Sequence, residues 1–158
     1  MNSLEVIKVI EKNLKNNLEN KKNEYLQILK DLIKIDTRVI GHGIDGGREL
    51  KGQKYLKALI EKIGGNSKFI KMKEEKIQEA IDNYNEGNPG HNYEDRPNLV
   101  GKFYGRGDGR SLILNGHIDT MPYGNKSEWE NDPFLGEEIN GEIYGLGSTD
   151  MKGGLAAA

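Results

Sequence analysis

The feature that most constrains the fold is the run Leu112-Ile-Leu114, followed without a break by Asn-Gly-His-Ile-Asp-Thr-Met-Pro to residue 122. Consecutive apolar residues with no polar alternation read as a strand covered on both faces, and such strands belong to sheets layered with helices. Helical patterns lie on both sides of it. Leu4, Ile7, Ile10, Leu14 and Leu18 recur every three to four residues, and Tyr25, Ile28, Leu29, Leu32 and Ile33 repeat the pattern. Asn16, Asn17, Asn20 and Asn23 between the two groups predict two helices. Leu56, Leu59, Ile60 and Ile63 predict another, ended by Gly64-Gly65. Beyond the apolar run, Gly153-Gly154 opens an alanine-rich helix start that reaches Ala158. Helices before and after such a strand predict an α/β layer architecture.

Around this frame, strands are expected at Phe69–Met72, Asn98–Tyr104, Ser111–His117 and Glu138–Tyr144. The stretch GHGIDGG (41–47) predicts a loop, and Gly105-Arg-Gly107-Asp-Gly109 a hairpin turn between two strands. Residues 73–97 read as a polar surface excursion. They hold one short helix on Ile77, Ala80, Ile81 and Tyr84, then turn chemistry in GNPGHNYEDRP (87–97). The organisation expected is a helical extension over 1–24 and one unit over 25–158 that includes the excursion.

Composition narrows the function classes. The 23 basic and 25 acidic residues leave a net charge of −2, which points to no nucleic-acid or membrane partner. Lysines in the first 24 residues are offset by Glu5, Glu11, Glu19 and Glu24. The absence of cysteine excludes disulfides, thiolate metal sites and a cysteine nucleophile. No apolar stretch is long enough to span a bilayer, and no basic-then-apolar leader opens the chain, so a cytoplasmic soluble protein is the expectation.

Chemistry concentrates in three residues. His117 and Asp119 stand two apart at a strand end, on one face and about 6.5–7 Å apart along the backbone. That spacing suits an imidazole that ligates a metal through one nitrogen while a carboxylate takes the other N–H. The pair also reads as a strand-end histidine in a routine hydrogen bond. Asp150 sits between Gly145-Leu-Gly147-Ser-Thr and Gly153-Gly154, where it reads either as a helix N-cap or as a carboxylate able to bridge two cations. His42 and His91 are expected on the surface. Glu74-Glu75 and Glu137-Glu138 are expected on solvated faces.

In combination these stretches say more than they do singly. LILNGHIDTMP, Trp129, Asp132-Pro-Phe134 and GEIYGLGSTDMKGG, in this order and spacing, resemble the M20 family of metallopeptidases and deacylases, in its acetylornithine deacetylase and succinyl-diaminopimelate desuccinylase branch. The resemblance is dense over 96–158, looser over 25–72, and weak over 1–24 and 73–97. It implies part of a three-layer zinc-peptidase-like catalytic domain, a sheet flanked by helices and truncated at its C-terminus, with the lid and dimerisation domain absent. It implies that His117 ligates one metal, that Asp150 bridges two, that Asp119 is the catalytic carboxylate orienting His117, and that the peptide bond after Asp150 is cis. The cofactor implied is Zn2+, two per complete site, with Co2+ as a substitute.

The reaction implied is hydrolysis of the amide bond of a small N-acyl amino acid or peptide by an enzyme that is a homodimer at full length. The family's adjacent Glu-Glu pair follows the helix that begins near Gly154, so this chain reads as an inactive N-terminal piece of such an enzyme. A non-catalytic metal- or partner-binding module, and a dipeptidase or carboxypeptidase of the same family, are the alternatives.

Overall fold

The computed structural model describes residues 2–85 and 90–158. Helix α1 spans Ser3–Lys34 without interruption, where two helices were expected. Each asparagine costs only a few tenths of a kcal/mol in helix propensity, and the lysines, glutamates and leucines around them are good helix formers. A reciprocal cap fixes the start: Glu5 N–H donates to the Asn2 side chain and Asn2 N–H to the Glu5 carboxylate, each at 2.9 Å. Residues 4–24 of the helix are exposed, and packing begins at Tyr25. Leu32 and Ile33, near its C-terminus, are fully buried.

After α1 the chain runs extended to Ile40, and the glycine-rich stretch folds back so that Val39 pairs with Gly47 and Ile40 N–H donates to Gly46 O at 2.8 Å. Helix α2, Glu49–Lys62, ends as expected: Gly64 takes φ +87° and Gly65 N–H donates to Ile60 O at 2.9 Å. Strand β1 (Asn66–Ile70) pairs antiparallel with β2 (Asn98–Lys102), Lys68 opposite Val100. Between them lies α3, Glu74–Tyr84. Of the turn expected over 87–97, residues 87–89 lie outside the described residues. Within the rest, His91 packs edge-on against Tyr93 and is half-buried, a correction to its expected exposure.

Three further expectations are revised. The stretch 138–144 is a hairpin of β3 (Glu137–Ile139) and β4 (Glu142–Tyr144), turned at Asn140 (φ 53°) and Gly141 (φ 84°). Asn-Gly supplies the two positive φ angles that a two-residue hairpin turn with the right twist requires. The Gly105–Gly109 stretch is an exposed loop rather than a hairpin turn, because β2 pairs with β1 and no strand follows to pair with it.

Most consequentially, residues 111–117 take no regular structure and are unpaired, and Leu112 and Ile113 are 82 % and 85 % exposed. An apolar run becomes a buried strand only where neighbouring strands take its amides and helices cover its faces. Among the described residues none does. The chain therefore mixes helices with two small two-stranded sheets, and a central sheet flanked by helices does not form among them.

The run is anchored only at its far end. Arg38 bridges to Thr120 in parallel register, and Ile118 is one of the buried apolar residues of the small core, with Leu32, Ile33 and Val39. Gly52 of α2 makes room for it, since a Cβ there would meet Ile118 Cδ1 at 2.5 Å. The segment that follows is held by Arg38, whose guanidinium pairs with Asp36 at 2.8 Å and lies over Tyr123 and Phe134, 4.6 and 5.2 Å from the ring centres.

Candidate metal site

The anchoring of 118–120 decides where His117 and Asp119 point. Thr120 N–H donates to Thr37 O at 3.2 Å, Val39 N–H to Thr120 O at 3.0 Å, and the Thr37 hydroxyl to Ile118 O at 2.7 Å. With Ile118 and Thr120 turned into the core, strand alternation turns His117 and Asp119 outward together. Gly116, just before them, is bare because the other arm of the site lies against it. A Cβ at Gly116 would come within 2.8 Å of both Leu155 Cδ2 and Met151 Cε.

That other arm is a widened turn, Ser148–Lys152, entered through Gly147 at φ 74° and closed by Lys152 N–H donating to Gly147 O at 2.9 Å. The Asp150–Met151 peptide is cis, as the resemblance implies. Helix α4, Gly153–Ala157, has no side-chain cap. Asp150 is thus not its N-cap; instead its carboxylate reaches His117.

The two arms meet at one atom pair. His117 Nε2 lies 2.9 Å from Asp150 Oδ1, and on the opposite side of the ring Nδ1 lies 3.1 Å from the Asp119 carbonyl oxygen and 3.4 Å from its carboxylate. Partial burial lowers the affinity of the imidazole for a proton. The Asp150 hydrogen bond, the Asp119 carbonyl and the two carboxylate charges together outweigh that effect, so the His117 pKa is raised. The Asp150 carboxylate is 86 % exposed, which leaves its second oxygen open.

The donor set fits part of a zinc site. Two ligands on one tetrahedral zinc, with bonds of about 2.0–2.1 Å, stand about 3.4 Å apart, so these two atoms, hydrogen-bonded at 2.9 Å, would part by about 0.5 Å to share an ion. With Nε2 given to a metal, Nδ1–H faces Asp119, the pairing that fixes the ligating tautomer. Among the described residues no cluster of three or more His, Asp or Glu groups is arranged to hold a metal ion, so this arrangement offers two donor atoms and no full coordination shell.

The remaining candidates stand apart. His42 is exposed at φ 55°, and Glu138 pairs with Lys30 at 2.8 Å. Sequence reasoning misses two residues that set the geometry. Thr37 is buried and carries the hydrogen bond to Ile118, and Lys152 is wholly buried although lysine defaults to solvent. The signal for Lys152 is its position between Met151 and the apolar helix start; for Thr37 there is none.

Residues 113–158 match the model of Peptidase family M20/M25/M40. Succinyl-diaminopimelate desuccinylase of Cereibacter sphaeroides (strain ATCC 17029 / ATH 2.4.9) is 44 % identical over 61 residues, 39 % of this chain and 16 % of that protein. Probable succinyl-diaminopimelate desuccinylase of Staphylococcus aureus (strain Mu50 / ATCC 700699) is 30 % identical over 135 residues, 85 % of this chain and 26 % of that protein. The chain spans about a quarter or less of the length of these curated relatives. The stretch that carries His117, Asp119 and Asp150 thus lies within the match to peptidase family M20/M25/M40.

Proposed function

We propose that this chain supplies one side of the dinuclear zinc centre of an amide hydrolase acting on small N-acyl amino acids. The observation that carries the reading is the 2.9 Å approach of His117 Nε2 to Asp150 Oδ1, between two arms that the sequence separates by 33 residues. His117 holds one zinc through Nε2. Asp150, whose one oxygen is at His117 while the other is open, would be the carboxylate that holds the second zinc. Asp119 receives Nδ1–H and keeps the ring in the ligating tautomer. Zinc held there would supply acidification of a bound water toward a pKa of about 7 and polarisation of the scissile carbonyl, with Co2+ as a substitute.

The proposed setting is a three-layer catalytic domain of a cytoplasmic, homodimeric enzyme. The names of the relatives favour an N-succinyl diamino acid over an N-acetyl one as substrate. Asp119 and Asp150 are both committed to His117, and no group of three or more His, Asp or Glu residues among the described residues is placed to hold a metal ion. Residues 1–158 alone are therefore expected to leave N-acyl amino acids unhydrolysed in excess zinc.

The test uses the native gene product isolated from its source cells and loaded with zinc. It should release succinate from N-succinyl diamino acids faster than acetate from N-acetyl ones. The same gene carrying His117→Ala or Asp150→Ala should release neither. Hydrolysis undiminished in both variants would end the proposal.

A further inference from the structure

The two arms of the site come from distant parts of the chain, yet both are registered on one short piece of backbone. The His117 arm is tied to Thr37, through Thr120 N–H to Thr37 O and through the Thr37 hydroxyl to Ile118 O. The Asp150 arm is tied just upstream: Lys152 Nζ donates to Leu32 O and to Ile35 O, each at 2.9 Å. Leu32 lies in the last turn of α1 and Ile35 follows its end; Leu32 O already accepts the capping Ile35 N–H at 3.3 Å, and both carbonyls have a lone pair left for a further donor at the end of the helix. The negative end of the helix dipole also favours a cationic or N–H-donating group there.

Lys152 is wholly buried, which is costly for an amine without partners, and Leu32 O and Ile35 O are the acceptors it finds. Asp150, two residues earlier, has an 86 % exposed side chain whose hydrogen bond runs to His117. Its position against His117 is inherited from Lys152.

We propose that Lys152 is the positioning residue of this site, which docks the Asp150 turn onto the C-terminus of α1 so that both arms share the segment Leu32–Thr37 as their common reference. The proposal rests on the metal reading for its consequence but not for its geometry. Freeing Lys152 from α1 would let the turn drift from His117 while the core at Leu32, Ile33 and Ile118 stays formed.

The test is made on the full 158-residue chain with methyl-labelled methionine. In the metal-free protein, a nuclear Overhauser effect between the Met151 methyl group and Gly116 reads the register of the two arms directly, since Met151 Cε packs at Gly116. We expect Lys152→Met to keep the helical circular dichroism, to lose that contact, and to bind Zn2+ about ten-fold more weakly, the scale on which groups behind metal ligands act. Lys152→Arg, which restores donors to the same carbonyls, should recover part of both.

A Met151–Gly116 contact and zinc affinity unchanged in Lys152→Met would overturn the proposal. If wild type itself bound no zinc, the metal reading would fail, and the methyl contact alone would still decide the role of Lys152. Should Lys152→Met not fold, the wild-type amine decides. Slowly exchanging Nζ protons with contacts to Leu32 and Ile35 support the proposal, and freely exchanging ones refute it.

Discussion

Two ends of one nine-residue stretch behave in opposite ways. Leu112 and Ile113 are as apolar as Ile118, yet they are more than four-fifths exposed while Ile118 is only 4 % exposed. The difference is the partner. Ile118 and Thr120 find Thr37, Val39 and the side of α2 at Gly52, whereas no strand among the described residues pairs with 111–117. Apolarity therefore states what a segment would bury, and neighbouring backbone decides whether it does. His117 stands at the boundary, held by the anchored half and facing out with the free one.

Substitution is the sharpest way to break this contrast. Ile118→Ala should cost about 3 kcal/mol, because the cavity opens in the core beside Gly52 and Thr37. Ile113→Ala should stay within about 0.5 kcal/mol, since its side chain already faces solvent. Urea denaturation of both variants measures the gap, and equal losses would show that 112–114 is buried in solution.

The anchored half also carries a pH signature. Burial lowers the Lys152 pKa to about 8, with the Asp36 charge opposing. The folded state then binds this proton more weakly than the unfolded chain does, so stability should rise as pH increases from about 8 to 10.5, by up to about 3 kcal/mol. The rise should be missing in Lys152→Met. Thr37→Val removes the donor to Ile118 O and leaves a buried carbonyl unpaired, at a cost of about 1–2 kcal/mol. The smallest effect is expected at acid pH. The Arg38 guanidinium holds the Asp36 carboxyl well below the usual range against partial burial, so its contribution persists at neutral pH and fades as the solution falls below about pH 4. Arg38→Met should flatten that limb.

How legible was all this in the sequence? The helices were, because their apolar spacing and the Gly64-Gly65 stop are local signals. The Asn140-Gly141 hairpin turn was not, because by apolarity the stretch passes for one strand. The unpaired state of 111–117 was not, since pairing depends on partners that no local pattern encodes. At the site, His117, Asp119 and Asp150 stand out through motif wording, because single-residue reasoning favours a routine histidine and an N-cap. That the two arms meet at 2.9 Å follows from tertiary anchors: a threonine hydroxyl and a buried lysine amine. Such anchors look like ordinary surface residues until the carbonyls they serve are in place.

The central claim is that His117 and Asp150 act on one metal with Asp119 behind them. Calorimetric titration of the 158-residue chain with Zn2+ tests it most directly. Wild type should bind zinc through this pair, His117→Ala and Asp150→Ala should each abolish the signal, and Asp119→Asn should weaken it about ten-fold. Zinc binding of equal strength in wild type, His117→Ala and Asp150→Ala would contradict the account.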